Sequence, residues 1–346
     1  MNRLVVDARW RGEHGIGRFA SEVLKRVSVQ WTPLSGPASP TAVYDILNMS
    51  RMRLSRRDVV FSPGFNAGVS RAVQVLVLHD LIHLEERAES SFLKTLFYEV
   101  IVRRAVLRAG VVMTVSTTSA EKISQWLDTS RVDVVVVGNG RSAAFTRMGA
   151  SIRSAARTFV YVGNLKPHKN VDVLLAALVL RPDYRLILVT SDVVQAQMKI
   201  QELGLASQVE IRSNVPDEEL AVLYRGASGA LQPSLLEGFG LPALEAMSCG
   251  TAVAYWHGCE SVREICAGTG VAVHEAVSVS EWAKAMDDLV RISDQGGVSM
   301  PPSWDAKYDW DNVARNVQTV VERAMAKNGS RIGKRKIRVF GLKVGG

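Results

Sequence analysis

The chain is short of cysteine, of aromatic residues and of long apolar runs, and these shortages close off several classes of protein. Its three cysteines, Cys249, Cys259 and Cys266, share one short region with no CxxC spacing and no histidine in a ligand pattern. Neither a zinc site nor a disulfide framework is indicated, and buried reduced thiols are expected. No apolar run approaches the ~18 residues that a membrane span requires. The opening MNRLVVDARW carries charges where a secretory leader would hold its apolar region, so a cytoplasmic protein is expected. The basic C-terminal stretch lacks the interleaved aromatics of a stacking platform, and nothing resembles a nucleic-acid module.

What is present is an ordinary globular composition, 47% hydrophobic and 22% charged. A length of 346 residues predicts two domains of ~150 residues each. The net charge is +8, and 331-RIGKRKIRVFGLKVGG-346 contributes six basic residues without one acid. A basic surplus of this kind suits anionic lipid or a diphosphate-bearing acceptor, and a solvated tail equally.

Residues 3-RLVVDA-8 read as a buried strand that leads through 9-RWRGEHGIGRF-19 into an apolar-periodic helix. Strand, glycine turn and helix open a doubly wound α/β fold. Gly15 and Gly17 allow close backbone approach to a ligand, but the third glycine of a dinucleotide fingerprint is missing, which argues against a dehydrogenase. Residues 31–40 read as a loop, and 43-VYDIL-47 and 58-DVVFS-62 as strands. The run 73-VQVLVLHDL-81 ends in His79 and Asp80, a position where open α/β sheets bind ligands, or simply a capping pair. Residues 91–110 predict one long helix that packs on the core with a basic outer face, although a basic amphipathic helix also suits a membrane surface. A small, polar, arginine-rich stretch at 141–157 marks the domain boundary. The predicted division is 1–150, 157–304, a helix over 305–328 packing back on the first domain, and a basic tail over 329–346.

The second half repeats the alternation. In 158-TFVYVGNLKPHKN-170 a strand meets a glycine turn and a loop carrying Lys166, His168 and Lys169 at a helix entrance, well placed for a diphosphate. The stretch 229-GALQPSLLEGFGLPALEAMSCG-250 organises the chain: a strand, then Glu237, a Gly-Phe-Gly turn, and a helix carrying Glu245. The turn presents backbone N–H groups to a phosphate, and the flanking carboxylates suit the hydroxyls of a sugar.

These residues resemble glycosyltransferase family 4, and the resemblance covers nearly the whole chain. Its strongest part is 215-VPDEELAVLY-224 with 233-PSLLEGFGLPALEAM-247, where Glu237 and Glu245 stand eight positions apart as in the family's E-x7-E motif. Weaker supports are 161-YVGNLKPHKN-170, 78-LHDL-81, 114-TVSTTS-119 and 138-GNG-140. The resemblance implies an α/β fold of the GT-B kind: two facing Rossmann-like domains with parallel sheets, and a C-terminal helix returning to the first. It implies that Glu245 binds the ribose and Glu237 the transferred sugar, while Gly238, Phe239, Gly240 and Leu241 meet the sugar and diphosphate at a helix N-terminus. Lys169 would neutralise the leaving diphosphate, with Asn164 beside it where many members carry arginine. Gly15 and Gly17 would contact the donor phosphates, His79 the sugar near its reacting carbon, and the loop around Val215 the base.

Activity, partners and cofactors follow from the same resemblance. The enzyme would be a retaining hexosyltransferase working by front-face attack, most simply with GDP-mannose as donor and a lipid-linked or oligosaccharide acceptor of cell-surface polysaccharide synthesis. UDP- or dTDP-sugars are the alternative donors. No cofactor beyond the nucleotide-sugar and no metal is assigned, because a lysine and a helix N-terminus suffice for the leaving charge. Peripheral contact with an anionic membrane, at the inner face of the plasma membrane, accompanies the basic tail. A nucleotide-sugar epimerase or phosphorylase, and a non-catalytic sugar-nucleotide-binding subunit, are the readings from other classes.

Overall fold

The inner strands arise where short apolar runs, bounded by glycine or polar turns, are too brief for a helix and apolar enough to be buried on both faces. A computed structural model describes residues 3–12, 15–36, 39–40, 45–52, 54–85, 92–152, 157–266 and 268–340. It divides into two units, one formed by residues 1–140 with 306–346 and the other by residues 141–305.

The first unit runs β1 (Leu4–Val6), α1 (Gly15–Arg26), β2 (Thr32–Pro33), α2 (Asp45–Arg51), β3 (Val59–Ser62), β4 (Val73–Leu76), α3 (Ile82–Glu85), α4 (Phe92–Leu96), α5 (Arg103–Ala109), β5 (Val111–Thr114), α6 (Thr117–Leu127) and β6 (Asp133–Val136). Its strands are parallel in the order β2-β1-β3-β4, and a bridge between Val77 and Met113 continues the row into the parallel pair β5-β6. Chain order reverses between β1 and β3, so the crevice at their carboxyl ends is where such a sheet receives ligands.

Three expectations are corrected here. Residues 45–47 belong to helix α2 and not to a strand, while 43 and 44 lie outside the described residues. The reason is Asp45, which is 1% exposed and accepts hydrogen bonds from Arg9 and Asn66, partners distant in sequence. The loop over residues 31–40 contains the two-residue strand β2, tolerated with its proline because it is an edge. The helix expected over residues 91–110 is divided by a π-helical stretch at Phe97–Val102, where the Arg103 N–H reaches back five residues to the Tyr98 carbonyl. It ends on Gly110 at φ 72°.

The second unit runs β7 (Arg157–Val162), α7 (Val171–Val179), β8 (Tyr184–Val189), α8 (Val193–Glu202), β9 (Val209–Arg212), α9 (Asp217–Gly226), β10 (Gly229–Gln232), α10 (Leu241–Ser248), β11 (Val253–Trp256), α11 (Glu260–Cys266), β12 (Val271–Val273) and α12 (Val279–Asp294). The strands are parallel in the order β12-β11-β10-β7-β8-β9, the doubly wound arrangement, with the reversal between β7 and β10. Phe159, Tyr161, Leu174, Leu178, Trp282 and Met286 anchor its core.

After α13 (Ser303–Lys307), the last helix, α14 (Trp310–Phe340), packs on the first unit. Trp310, Val313, Val317, Val320, Val321 and Ala324 are buried at helical spacing. Trp310 meets Phe19 edge-on at 6.1 Å, Arg26 pairs with Asp311 at 2.7 Å, and the Asn316 amide donates to the Val137 carbonyl.

Candidate functional site

In the second unit the carboxyl ends of β7 and β10 meet at the reversal of strand order, and there a cation and a carboxylate converge. A 3₁₀ turn, Pro167–Lys169, carries Lys169 out of the loop that follows β7, with Asn170 at φ 52° turning the chain into α7. The Lys169 Nζ lies 2.6 Å from Glu237 Oε1, and both side chains are largely shielded, at 16% and 12% exposure. The same oxygen accepts from Gln232 Nε2 at 2.7 Å and from the Ser234 hydroxyl at 2.8 Å. The loop is further tied by Leu235 N–H to the His168 carbonyl and by the Ser261 hydroxyl to the Glu237 carbonyl. Glu237 is thus held by three donors before any substrate hydroxyl reaches it.

Gly238 and Phe239 continue the loop to Gly240, which caps α10 at φ 100°. A side chain there would strain the backbone and bring a Cβ within 3.0 Å of Val262. Leu241 opens α10, Pro242 stands in the first turn where a missing N–H costs nothing, and the Ala243 and Leu244 N–H groups close on the Gly240 carbonyl, so that the positive end of the helix lies at the loop. Glu245, in the second turn, is 4% exposed and so recessed in the unit. Asn164 follows Gly163 at the end of β7. Its carbonyl accepts the Tyr161 hydroxyl at 2.7 Å, and Asp192 takes the neighbouring Leu165 N–H. Of the residues nearest Asn164 that could stand in for an arginine, Lys166 is exposed and His168 is buried.

The electrostatic imprint of Glu237 is visible on its neighbours. Burial, and then the Glu237 and Asp192 charges, push the Tyr161 phenol well above its ordinary value. Burial with the Glu237 charge pushes the Cys259 thiol up to about 12. Val215 is half-buried in the loop after β9, two strands along the sheet from β7, or about 10 Å at ordinary strand spacing.

In the first unit, Gly15 and Gly17 open α1 in the loop after β1. A Cβ on Gly17 would stand 2.3 Å from the Gly12 carbonyl oxygen, whereas one on Gly15 would meet nothing within 4 Å. The His79 Nε2 lies 2.9 Å from the Pro63 carbonyl, an acceptor only, so that nitrogen carries the proton. Phe19 of α1 abuts the His79 ring at 4.9 Å, which joins the glycine turn and the histidine in one cluster.

The same ends of β1 and β3 hold a cluster that sequence reading missed. The Arg9 guanidinium reaches Asp7 at 2.7 Å and Asp45 at 2.5 Å, and the Asn66 amide donates to both carboxylates. Asp7, Asp45 and Asn66 are at most 2% exposed. The Asp-x-Arg at the end of the first strand was the visible signal, but its partners lie 36 and 59 residues away. The expectation that no metal is needed also counted D-x-D sequences as absent, and the chain holds one, Asp309-Trp310-Asp311. It opens α14, with Trp310 in the core and Asp311 engaged by Arg26. Among the described residues no group of three or more metal-ligating side chains is found.

Comparison with known proteins places a family model within the second unit and likenesses to relatives and solved structures over more of the chain. Residues 146–295 match the family model described as glycosyl transferases group 1. The O-antigen chain mannosyltransferase RfbU of Salmonella typhimurium is 26% identical over 255 residues, covering 70% of this chain and 68% of that relative. The D-inositol 3-phosphate glycosyltransferase of Mycobacterium bovis is 30% identical over 222 residues, 58% of this chain and only 45% of that relative. Among solved structures, a sucrose-phosphate synthase from Thermosynechococcus elongatus superposes with a TM-score of 0.65 at 16% identity, covering 99% of this chain and all of that one. WaaG, a glycosyltransferase involved in lipopolysaccharide biosynthesis, superposes with a TM-score of 0.63 at 18% identity, covering 93% and 98%.

Proposed function

Because the chain is a glycosyltransferase of the GT-B fold, we propose that it transfers a hexose, mannose from GDP-mannose, onto a lipid-linked or oligosaccharide acceptor of cell-surface polysaccharide synthesis. The observation that carries this reading is the Lys169–Glu237 pair at the strand-order reversal, beside the N-terminus of α10. The likeness to an O-antigen chain mannosyltransferase supports the choice of mannose and of a polysaccharide acceptor.

In this reading Glu245 hydrogen-bonds the ribose, the loop around Val215 holds the base, and Gly238 to Leu241 meet the sugar and diphosphate. Gly15, Gly17 and His79 serve the donor phosphates and the sugar from the first unit. Lys169, whose ammonium has three N–H donors, spends one on Glu237 and turns others to the diphosphate. As the bond from the anomeric carbon to the phosphate oxygen breaks, negative charge gathers on the diphosphate, where Lys169 and the positive end of the α10 dipole stabilise it. The acceptor hydroxyl forms the new bond on the same face and passes its proton to the departing phosphate oxygen, so configuration is retained. Glu237 binds the sugar and is not a nucleophile, and no divalent cation or further cofactor is required. The work is done at the cytoplasmic face of the membrane, with the protein attached peripherally.

A thermal-shift series with GDP-, UDP- and dTDP-sugars, followed by assay of nucleotide release, tests the donor. GDP-mannose is expected to raise Tm most and to be consumed. A larger shift and turnover with a UDP- or dTDP-hexose overturns the mannose assignment.

A further inference from the structure

Helices α4 and α5, with the π-helical stretch between them, bury Tyr98, Val102, Ala105, Val106 and Ala109. The opposite side was expected to be basic. Lys94, Arg104 and Arg108 are exposed there, and beside them runs an apolar stripe: Phe92 (81% exposed), Leu93, Leu96, Val100 and Leu107 all stand in solvent. From Phe92 to Leu107 this stripe runs roughly 22 Å at the usual helical rise. It is far too short and too charged to cross a bilayer, and no described helix is long and apolar enough to do so.

The surroundings of the stripe are cationic. Lys94, Arg103, Arg104 and Arg108 share these helices with one acid, Glu99, which is occupied by the Trp126 indole at 2.7 Å. Arg108 donates to the carbonyls of Ser70 and Arg71, which draws exposed Val69 and Arg71 to the same end. Arg56 and Arg104 lie close enough to Arg108 that their charges, after burial, lower its affinity for its own proton. The end of α14 arrives at the same place: the Asn328 amide donates to the carbonyls of Arg56 and Arg57, and the Lys327 ammonium lies against Gly110. Beyond it the helix continues through 331-RIGKRKIRVF-340, five basic residues and no acid.

We propose that the first unit docks on an anionic lipid bilayer through this surface, with the Phe92–Leu107 stripe inserted at the headgroup level and the arginines of 56, 57, 71 and 104 on the lipid phosphates. A narrow, convex apolar stripe on a single helical element flanked by cations is the signature of an interfacial helix, and each basic group near such a surface adds to the attraction. The proposal rests on the peripheral attachment stated above and gives it a place, on a helix outside the basic tail. It is independent of the donor and of the reaction.

The test is co-sedimentation of the full chain with phosphatidylcholine vesicles, with and without phosphatidylglycerol, in the absence of sugar nucleotide and acceptor. The protein is expected to pellet with the phosphatidylglycerol vesicles and to be released by salt. Phe92→Ser with Leu96→Ser and Val100→Ser, and separately Arg56→Glu with Arg104→Glu, are each expected to weaken binding about tenfold or more. Both should leave Tm and the nucleotide-sugar shift unchanged. The proposal is overturned if the chain ignores the vesicles or prefers neither kind, or if both variants bind as well as the parent. It is equally overturned if removing residues 329–346 abolishes binding that the serine variant retains. A dimer in gel filtration that the serine variant renders monomeric would assign the stripe to a second copy of the chain instead.

Discussion

Glu237 Oε1 takes hydrogen bonds from Lys169, Gln232 and Ser234 at once, so its negative charge is already compensated and its orientation is set. That is the state expected of a group that must accept sugar hydroxyls in one geometry rather than attack carbon. Lys169→Ala removes a cation from the leaving diphosphate and should lower kcat by a factor on the order of 10². Near-normal turnover would remove Lys169 from the chemistry. Glu245→Ala should weaken donor affinity about tenfold or more, with a smaller effect on kcat, and calorimetric titration with the donor measures it. The E-x7-E spacing was legible because it lies within one strand–turn–helix. The ion pair was not, because Lys169 and Glu237 stand 68 residues apart and only the parallel sheet joins them. Asp45 shows the same limit from the other side: a β-like local sequence became helical where a half-buried arginine 36 residues away holds its carboxylate. The thiols add a pH prediction. Burial raises Cys249 and Cys259 from 9.0 to about 12 and raises Cys266 also. The folded state therefore holds these protons more tightly than the unfolded one. Their stabilisation is fully present below pH 9 and is lost as pH rises through the window up to about 12. Urea midpoints should fall across that range, and Cys249→Ser with Cys259→Ser should flatten the fall.

Among the elements, the two glycine turns separate structural from functional demand. Gly17 packs against the Gly12 carbonyl, so Gly17→Ala must displace backbone and should lower Tm. Gly15 has open space around its missing Cβ, so Gly15→Ala should leave Tm nearly unchanged and raise the donor KM instead. A parallel fall in Tm for Gly15→Ala would make it a packing residue. Gly240→Ala places a non-glycine residue at φ 100° and should cost about 1–3 kcal/mol of stability by denaturant unfolding. Most strands were readable because runs such as Val59–Ser62 and Val73–Leu76 are buried on both faces and need no partner to be recognised. The π-helical stretch at 97–102 left no such mark. It depends on one carbonyl, Tyr98, being reached from five residues on, which no composition encodes. The apolar outer face of α4 was hidden for a different reason. Phe92, Leu93 and Leu96 have the residue types of a core, and only the fold reveals which side of the helix the core occupies.

For the whole molecule, the first unit is discontinuous in sequence, closed by a helix delivered after the second unit. Trp310 lies over Gly140 and against Phe19, and a Cβ on Gly140 would come within 2.4 Å of the Trp310 ring. Trp310→Ala should therefore destabilise the first unit by about 3–5 kcal/mol. Calorimetry should show that one transition moves while the transition of residues 141–305 stays. A single cooperative shift of both would show the two units unfolding together. Truncation at residue 305 removes the whole buried face of α14 and should leave a first unit that binds hydrophobic dyes.

The position of α14 also bears on how the protein is made. Synthesis begins at the amino end, so Phe19 and Val23 of α1 emerge early, yet the helix that covers this side emerges only after residue 310. At ordinary translation rates the gap after residue 140 lasts on the order of ten to thirty seconds. Through that interval the second unit has its full sequence and can fold on the ribosome, while the first waits with an apolar side open. A nascent chain in this state is a natural client for trigger-type chaperones, and one released early presents the same open side to proteases.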